Sequence, residues 1–163
     1  MKKHKLLLIV AACAVRLIGY MYMPKYCDIT FQGLKLVKVP MKLVIKSESD
    51  KKGYYRDGEN VGDFFRKTIT DITIELTDQS HDEFLREKEI YRTGKGQVAT
   101  TGKQEYTEKE TRQFEIYYAY CDAGPSLYHA KVYSKTSGKC WFIRFSNFSS
   151  AQISTIFGFI QEE

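Results

Sequence analysis

From Phe114 to Ser146 apolar and polar residues alternate with period two, and this restricts the second half of the chain to an antiparallel sheet. Phe114, Ile116, Tyr118 and Tyr120 alternate with Glu115, Tyr117 and Ala119. Successive side chains of a strand point to opposite faces, so the spacing predicts a strand. The turn-forming run Asp122-Ala123-Gly124-Pro125 follows, then a strand over 127–134, the turn Lys135-Thr136-Ser137-Gly138 and a strand over 140–146. Short turns between consecutive strands make an antiparallel meander.

The rest of the chain supplies strands before this meander and two helices. Ile29, Phe31, Leu34 and Leu36 read as strand, broken at Gly33 by a turn or bulge. Pro40 interrupts, and 41–45 resumes as a short strand. Residues 47–60 are polar and charged, with Gly53 and Gly58, and predict a loop. Ile72, Ile74 and Leu76 alternate with Thr73 and Glu75 as a half-buried strand. Ser80-His81-Asp82-Glu83 is a capping box, in which Ser80 caps the amide of Glu83 and Glu83 reaches back. The helix it opens has Phe84, Leu85, Lys88 and Tyr91 on one face and stops at Gly94 and Gly96. Residues 97–101 and 103–107 predict strands either side of Gly102. Ser149 with Gln152 is a second capping box, and Ile153, Ile156, Phe157 and Ile160 form one apolar stripe. The expected class is α+β: an antiparallel sheet covered by two helices, built from a single domain over 24–163.

Residues 1–23 read differently. Lys2, Lys3 and Lys5 precede an apolar stretch, 6–23, interrupted only by Arg16. A basic head before an apolar run addresses a chain to a membrane. Three forms fit: a cleaved signal, a lipoprotein signal in which Val10-Ala11-Ala12-Cys13 makes Cys13 the acylated residue, or a retained anchor. Removing the four basic residues of 1–23 leaves 21 Lys+Arg against 20 Asp+Glu, so the net charge falls from +5 to +1. The body is nearly neutral, which argues against a nucleic-acid partner.

No catalytic or metal motif stands out. The four cysteines include no CxxC pair, and His4, His81 and His129 lie far apart, so no zinc site or other cofactor is expected. Cys121 and Cys140 fall at opposite ends of the meander, too distant for a disulfide. His81 reads as an exposed first-turn residue and His129 as a packing residue of a strand. The 12 tyrosines exceed what one core needs. Tyr117 and Tyr118 point to opposite faces, so one face is expected to carry exposed aromatic surface. Tyr54, Tyr55 and Arg56, where charge and aromatics meet, are the expected partner contacts.

Several of these patterns together resemble the PsbP-like fold family, which includes DcrB-type bacterial envelope lipoproteins. The matching stretches are Phe31-x-Gly33-Leu34-x-Leu36-x-x-x-Pro40 leading to Lys42-Leu43-Val44, and Asp71-Ile72-Thr73-Ile74 running into Ser80-x-x-Glu83-Phe84-Leu85. The last is Cys140-Trp141-Phe142-Ile143-Arg144-Phe145 before a helix with Ile153, Ile156 and Ile160. The stretch 47–67 departs from the family pattern in length and charge. The resemblance implies a non-enzymatic binding or assembly role outside the cytoplasm and transfers no functional residue. The combined expectation is a bacterial envelope protein, membrane-attached, with its domain facing the periplasm and binding another protein. An immunity protein that neutralises a delivered toxin is one form of it. An accessory or assembly lipoprotein, or a small-ligand carrier using a cleft between sheet and helix, are the alternatives, with a hydrolase weaker still.

Overall fold

A computed structural model of the chain describes residues 26–41, 44–57, 69–93, 105–121 and 127–163, together with Cys13, which is exposed. The rest of the expected membrane segment lies outside the described residues. Among the described residues no helix is long and apolar enough to cross a membrane.

Two antiparallel sheets and two helices make up the fold. β1 (Cys27–Phe31) and β2 (Leu34–Val39) form a hairpin, and the short β10 (Gln161–Glu162) pairs with β2 to complete a three-stranded sheet. Gln32 and Gly33 at the hairpin turn have φ of 50° and 87°. That left-handed pair matches the twist of the flanking strands, as the break at Gly33 implied.

The larger sheet has seven strands. Its order is β3 (Val44–Glu48), β4 (Lys52–Asp57), β5 (Asp71–Thr77), β9 (Cys140–Ser146), β8 (Leu127–Ser134), β7 (Phe114–Cys121) and β6 (Tyr106–Glu110), all antiparallel. The meander of β7, β8 and β9 is as the alternation predicts. α1 (His81–Thr93) and α2 (Ser150–Gly158) begin at the two capping boxes. The Glu83 carboxylate accepts the Ser80 N–H at 2.8 Å, and the Glu83 N–H donates to Ser80 Oγ at 3.4 Å. Ser149 and Gln152 repeat the arrangement at α2.

Three local expectations are corrected. The supposed loop at 47–60 contains the β3–β4 hairpin, with Ser47 opposite Tyr54 and Glu48 opposite Gly53. It is an edge hairpin, and its solvent-facing positions are charged, which hid the period-two pattern. The strand expected over 41–45 starts at Val44 instead, and Met41 is buried outside any strand. In the pair expected around Gly102, strand begins at Tyr106, while 97–104 lies outside the described residues.

The large sheet packs a core on each face, the second one confined to the area beneath α1. Cross-strand register sets Tyr55, Ile72, Phe145 and Tyr128 side by side on one face. On that face Ile74, Ile143, Trp141 and Tyr118 join Leu34 and Leu36 of the hairpin and Ile153, Ile156 and Phe157 of α2 in one core. The opposite face carries Tyr117 and Cys140 under Phe84 of α1, with Tyr91, Tyr106 and Tyr133 packed around them. Tyr117 and Tyr118 therefore do point apart, yet both are buried. The surplus of tyrosines is resolved by a second core, not by an exposed aromatic face. Phe84 rather than Leu85 is the inward residue of α1, and Leu85 is exposed.

Gly53 occupies an inward position where the hairpin layer meets β4. A Cβ there would lie 2.9 Å from the Phe31 ring and 2.8 Å from the Tyr55 hydroxyl. Gly53→Ala is expected to destabilise by about 1–3 kcal/mol, the usual range for overpacking. A drop in the urea midpoint with unchanged slope would show this.

Candidate functional site

Outside the footprint of α1, the second face of the large sheet continues over β4, β5, β9 and β8. Register places Tyr54, Thr73, Arg144 and His129 in one cross-strand row. The next row is Ile45, Arg56, Asp71, Ser146, Leu127 and Cys121. Arg56, Arg144 and Ile45 are exposed, and Tyr54, Thr73 and Phe142 are half-buried. A sheet face normally hides its large side chains under another layer. Here two guanidinium groups, a tyrosine, an isoleucine and a phenylalanine remain accessible together.

This face brings together two of the three expected contact residues, Tyr54 and Arg56. Tyr55 points the other way. It is 2% exposed, and its hydroxyl donates to Glu48 Oε1 at 2.7 Å and lies 3.4 Å from the Thr30 carbonyl. Burial first, and the Glu48 carboxylate second, hold its phenol proton well above the ordinary range. Tyr55 thus locks the small layer onto β4. Arg144 and Phe142 were not singled out by sequence. They lie on β9, distant in sequence from β4, and only the β5–β9 pairing brings them beside Tyr54. Lys52 and Glu75 approach to 3.9 Å at the margin, and Arg56 and Arg144 are exposed, with the half-buried Asp71 opposite Arg56 accepting from the Ser146 hydroxyl at 2.8 Å.

A thiol–imidazole pair lies at the β7–β8 end of the same face. Cys121 Sγ is 3.1 Å from His129 Nδ1, and His129 packs edge-on against Phe142 with ring centroids 5.1 Å apart. That separation suits a nucleophile and its base, but the environment does not. Burial pushes the Cys121 thiol up, only partly offset by the His129 backbone and by Arg144. Burial, then Arg144, pushes His129 down. Both groups are favoured neutral, and His129 Nε2 is buried with no hydrogen-bond partner among the described residues, so nothing there orients the ring as an activated base. The pair is a neutral hydrogen bond bracing the hairpin.

A buried neutral histidine links stability to pH. With its folded pKa below the unfolded value, near 6.5, the folded state binds fewer protons than the unfolded chain. Its contribution is complete above that value and is lost as pH falls through it. The urea midpoint is therefore expected to drop between pH 7.5 and pH 5, and His129→Phe to flatten that drop.

His81 opens the first turn as expected and its side chain is 41% exposed, but it is not without partners. Its ring stacks on Tyr133 with centroids 4.5 Å apart, and Nε2 meets Glu115 Oε1 at 3.0 Å. Glu87 accepts from Lys131, and Gln79 Oε1 takes Lys131 at 2.7 Å. These contacts tie α1 to the sheet, and their roles are structural. All four cysteines are free, Cys121 and Cys140 included. Among the described residues no three His, Cys, Asp or Glu side chains gather as a metal site. No family model matches the chain, and no curated protein matches it.

Proposed function

We propose that this protein is a membrane-attached protein of the bacterial envelope that acts by binding another protein through the open face of its large sheet. The observation that carries this reading is the clustering of Tyr54, Arg56, Phe142 and Arg144 on a rigid sheet beyond the edge of α1. Tyrosine and arginine offer large contact area with a polar tip and recur where protein interfaces concentrate their binding energy. The cationic pair selects a partner whose matching surface is acidic. An immunity protein that neutralises a toxin delivered to the periplasm is one concrete form, and an accessory or assembly lipoprotein is another. A role of this kind is also what a PsbP-like resemblance implies.

The small-ligand carrier is less well supported. Phe84, Tyr117 and Phe157 are fully buried and fill the spaces where a cleft between sheet and helix would lie.

The full-length chain, extracted from membranes and used as bait, is expected to recover one tight partner. Tyr54→Ala, Arg56→Ala and Arg144→Ala are each expected to weaken that complex roughly 10-fold or more, the range of interface hot spots. Each is expected to leave stability within about 0.5 kcal/mol, as surface changes do. Retention of full affinity by all three variants would rule out this face as the contact. Protection of toxin-expressing cells by co-expression separates the immunity form from the assembly form.

A further inference from the structure

The three-stranded sheet and α2 form a layer whose outer side carries two exposed aromatics, Tyr26 and Phe159. A groove of about 250 Å³ is lined there by Tyr26, Lys38, Pro40, Ala151, Gln152 and Thr155. We propose that this groove and its rim are the surface that rests on the lipid bilayer. The proposal rests on the reading that residues 1–23 attach the chain to a membrane.

Chain geometry gives the first argument. Three residue steps separate Met23, the end of the apolar segment, from Tyr26, and a chain spans at most about 3.6 Å per residue. With 1–23 retained as an anchor, Tyr26 lies within roughly 11 Å of wherever residue 23 leaves the membrane. The wall of the groove must lie there with it.

Surface chemistry gives the second. Tyr26 is 57% exposed and Phe159 is 44% exposed, large aromatics that a freely solvated surface gains nothing by presenting. The Lys38 ammonium sits 3.9 Å from the Phe159 ring centroid, which joins the two ends of the patch. An ammonium beside exposed aromatic rings is the pairing found at headgroup depth, where the ring takes the apolar side and the cation meets lipid phosphate. α2 adds an unusual face. Its nine residues include no charged side chain, and Ala151, Gln152 and Thr155 lie outward, opposite the buried Ile153, Ile156 and Phe157. A solvated helix face carries charged or polar residues, and this one has only neutral polar and small ones.

The backbone gives the third. Lys38 has φ of 57°, a left-handed conformation that non-glycine residues seldom adopt, beside a register shift between Cys27 and Ile29. Its N–H donates to Asp28 Oδ1 at 3.2 Å, which holds the irregularity in place. The same residue places its ammonium over the Phe159 ring. With this layer on the bilayer, the face bearing Tyr54, Arg56 and Arg144, on the other side of the large sheet, points away from the membrane towards a partner.

The test uses the full chain in vesicles of phosphatidylethanolamine and phosphatidylglycerol doped with a lipid carrying a photoactivatable diazirine in its headgroup. Flotation reports attachment, and mass spectrometry reports which peptides the lipid labels. Peptides containing Tyr26 and Phe159 are expected to be labelled at least tenfold more than those containing Tyr54 and Arg144. Lys38→Glu with Phe159→Ser is expected to cut that labelling several-fold while flotation persists. Flotation with even labelling, with label on the sheet face, or with no label on the body overturns the proposed surface and leaves membrane attachment standing. Loss of flotation overturns the attachment reading, and this proposal with it.

Discussion

Replacing Phe84 with alanine is expected to cost about 3–5 kcal/mol, the range for deleting a buried aromatic ring. Phe84 is the buried residue of α1 and the centre of the second core, with Tyr117 and Tyr133 rings at 5.4 and 5.5 Å. Tyr91 and the ion pairs Lys131–Glu87 and Lys88–Glu108 also hold the helix, but each of these reaches solvent at its rim. Without the ring, α1 keeps its capping box and loses its anchor. The loss is therefore expected to be local first. Hydrogen exchange in 81–93 should accelerate more than in β8 or β9, and the urea midpoint should fall. Phe84→Leu, which keeps much of the volume, is expected to cost less than half as much. Equal acceleration across all strands would mean that the two cores unfold as one unit.

The same two-sided packing explains which parts of the fold could be read from sequence. Capping boxes at Ser80 and Ser149 were legible because they are local: four residues carry both partners of each hydrogen bond. The meander was legible because the segments of β7, β8 and β9 are separated by short turn-forming runs, Asp122-Ala123-Gly124-Pro125 and Lys135-Thr136-Ser137-Gly138. The role of α1 was harder to read. Alternation along β7 shows that Tyr117 and Tyr118 face opposite ways, but nothing within the strand tells whether the second face is wet or covered. That depends on where a helix thirty residues earlier comes to rest. The β3–β4 hairpin escaped for a different reason. Only β3 has a free edge, but Lys46 and Glu48 on it and Lys52 and Arg56 on β4 all reach water, so the hairpin satisfies strand geometry while looking like a loop. The site suffered most, because Arg144 and Phe142 reach Tyr54 only through the non-sequential β5–β9 pairing. Tyr54 and Arg56 could be picked out by composition, whereas their neighbours could not.

Adjacent tyrosines on β4 separate scaffold from site most sharply. Tyr55→Ala is expected to destabilise by about 3–5 kcal/mol, because it removes a ring buried between β4, Phe31 and Gly53. Tyr55→Phe keeps the ring and loses the hydrogen bond to Glu48. Glu48 is partly exposed and can take water in place of the phenol, so this change is expected to cost only about 1 kcal/mol. Tyr54→Ala, one residue away, projects to the opposite face and is expected to leave unfolding nearly unchanged while weakening the partner complex. Chemical denaturation of the three variants, set beside their partner affinity, reads both consequences of one strand's alternation. If Tyr54→Ala lost as much stability as Tyr55→Ala, the open face would be covered in the folded protein, and the contact would have to lie elsewhere. If Tyr55→Phe proved as costly as Tyr55→Ala, the hydroxyl, which reaches Glu48 of β3 and the Thr30 carbonyl of β1, rather than the ring would carry the stability at this position.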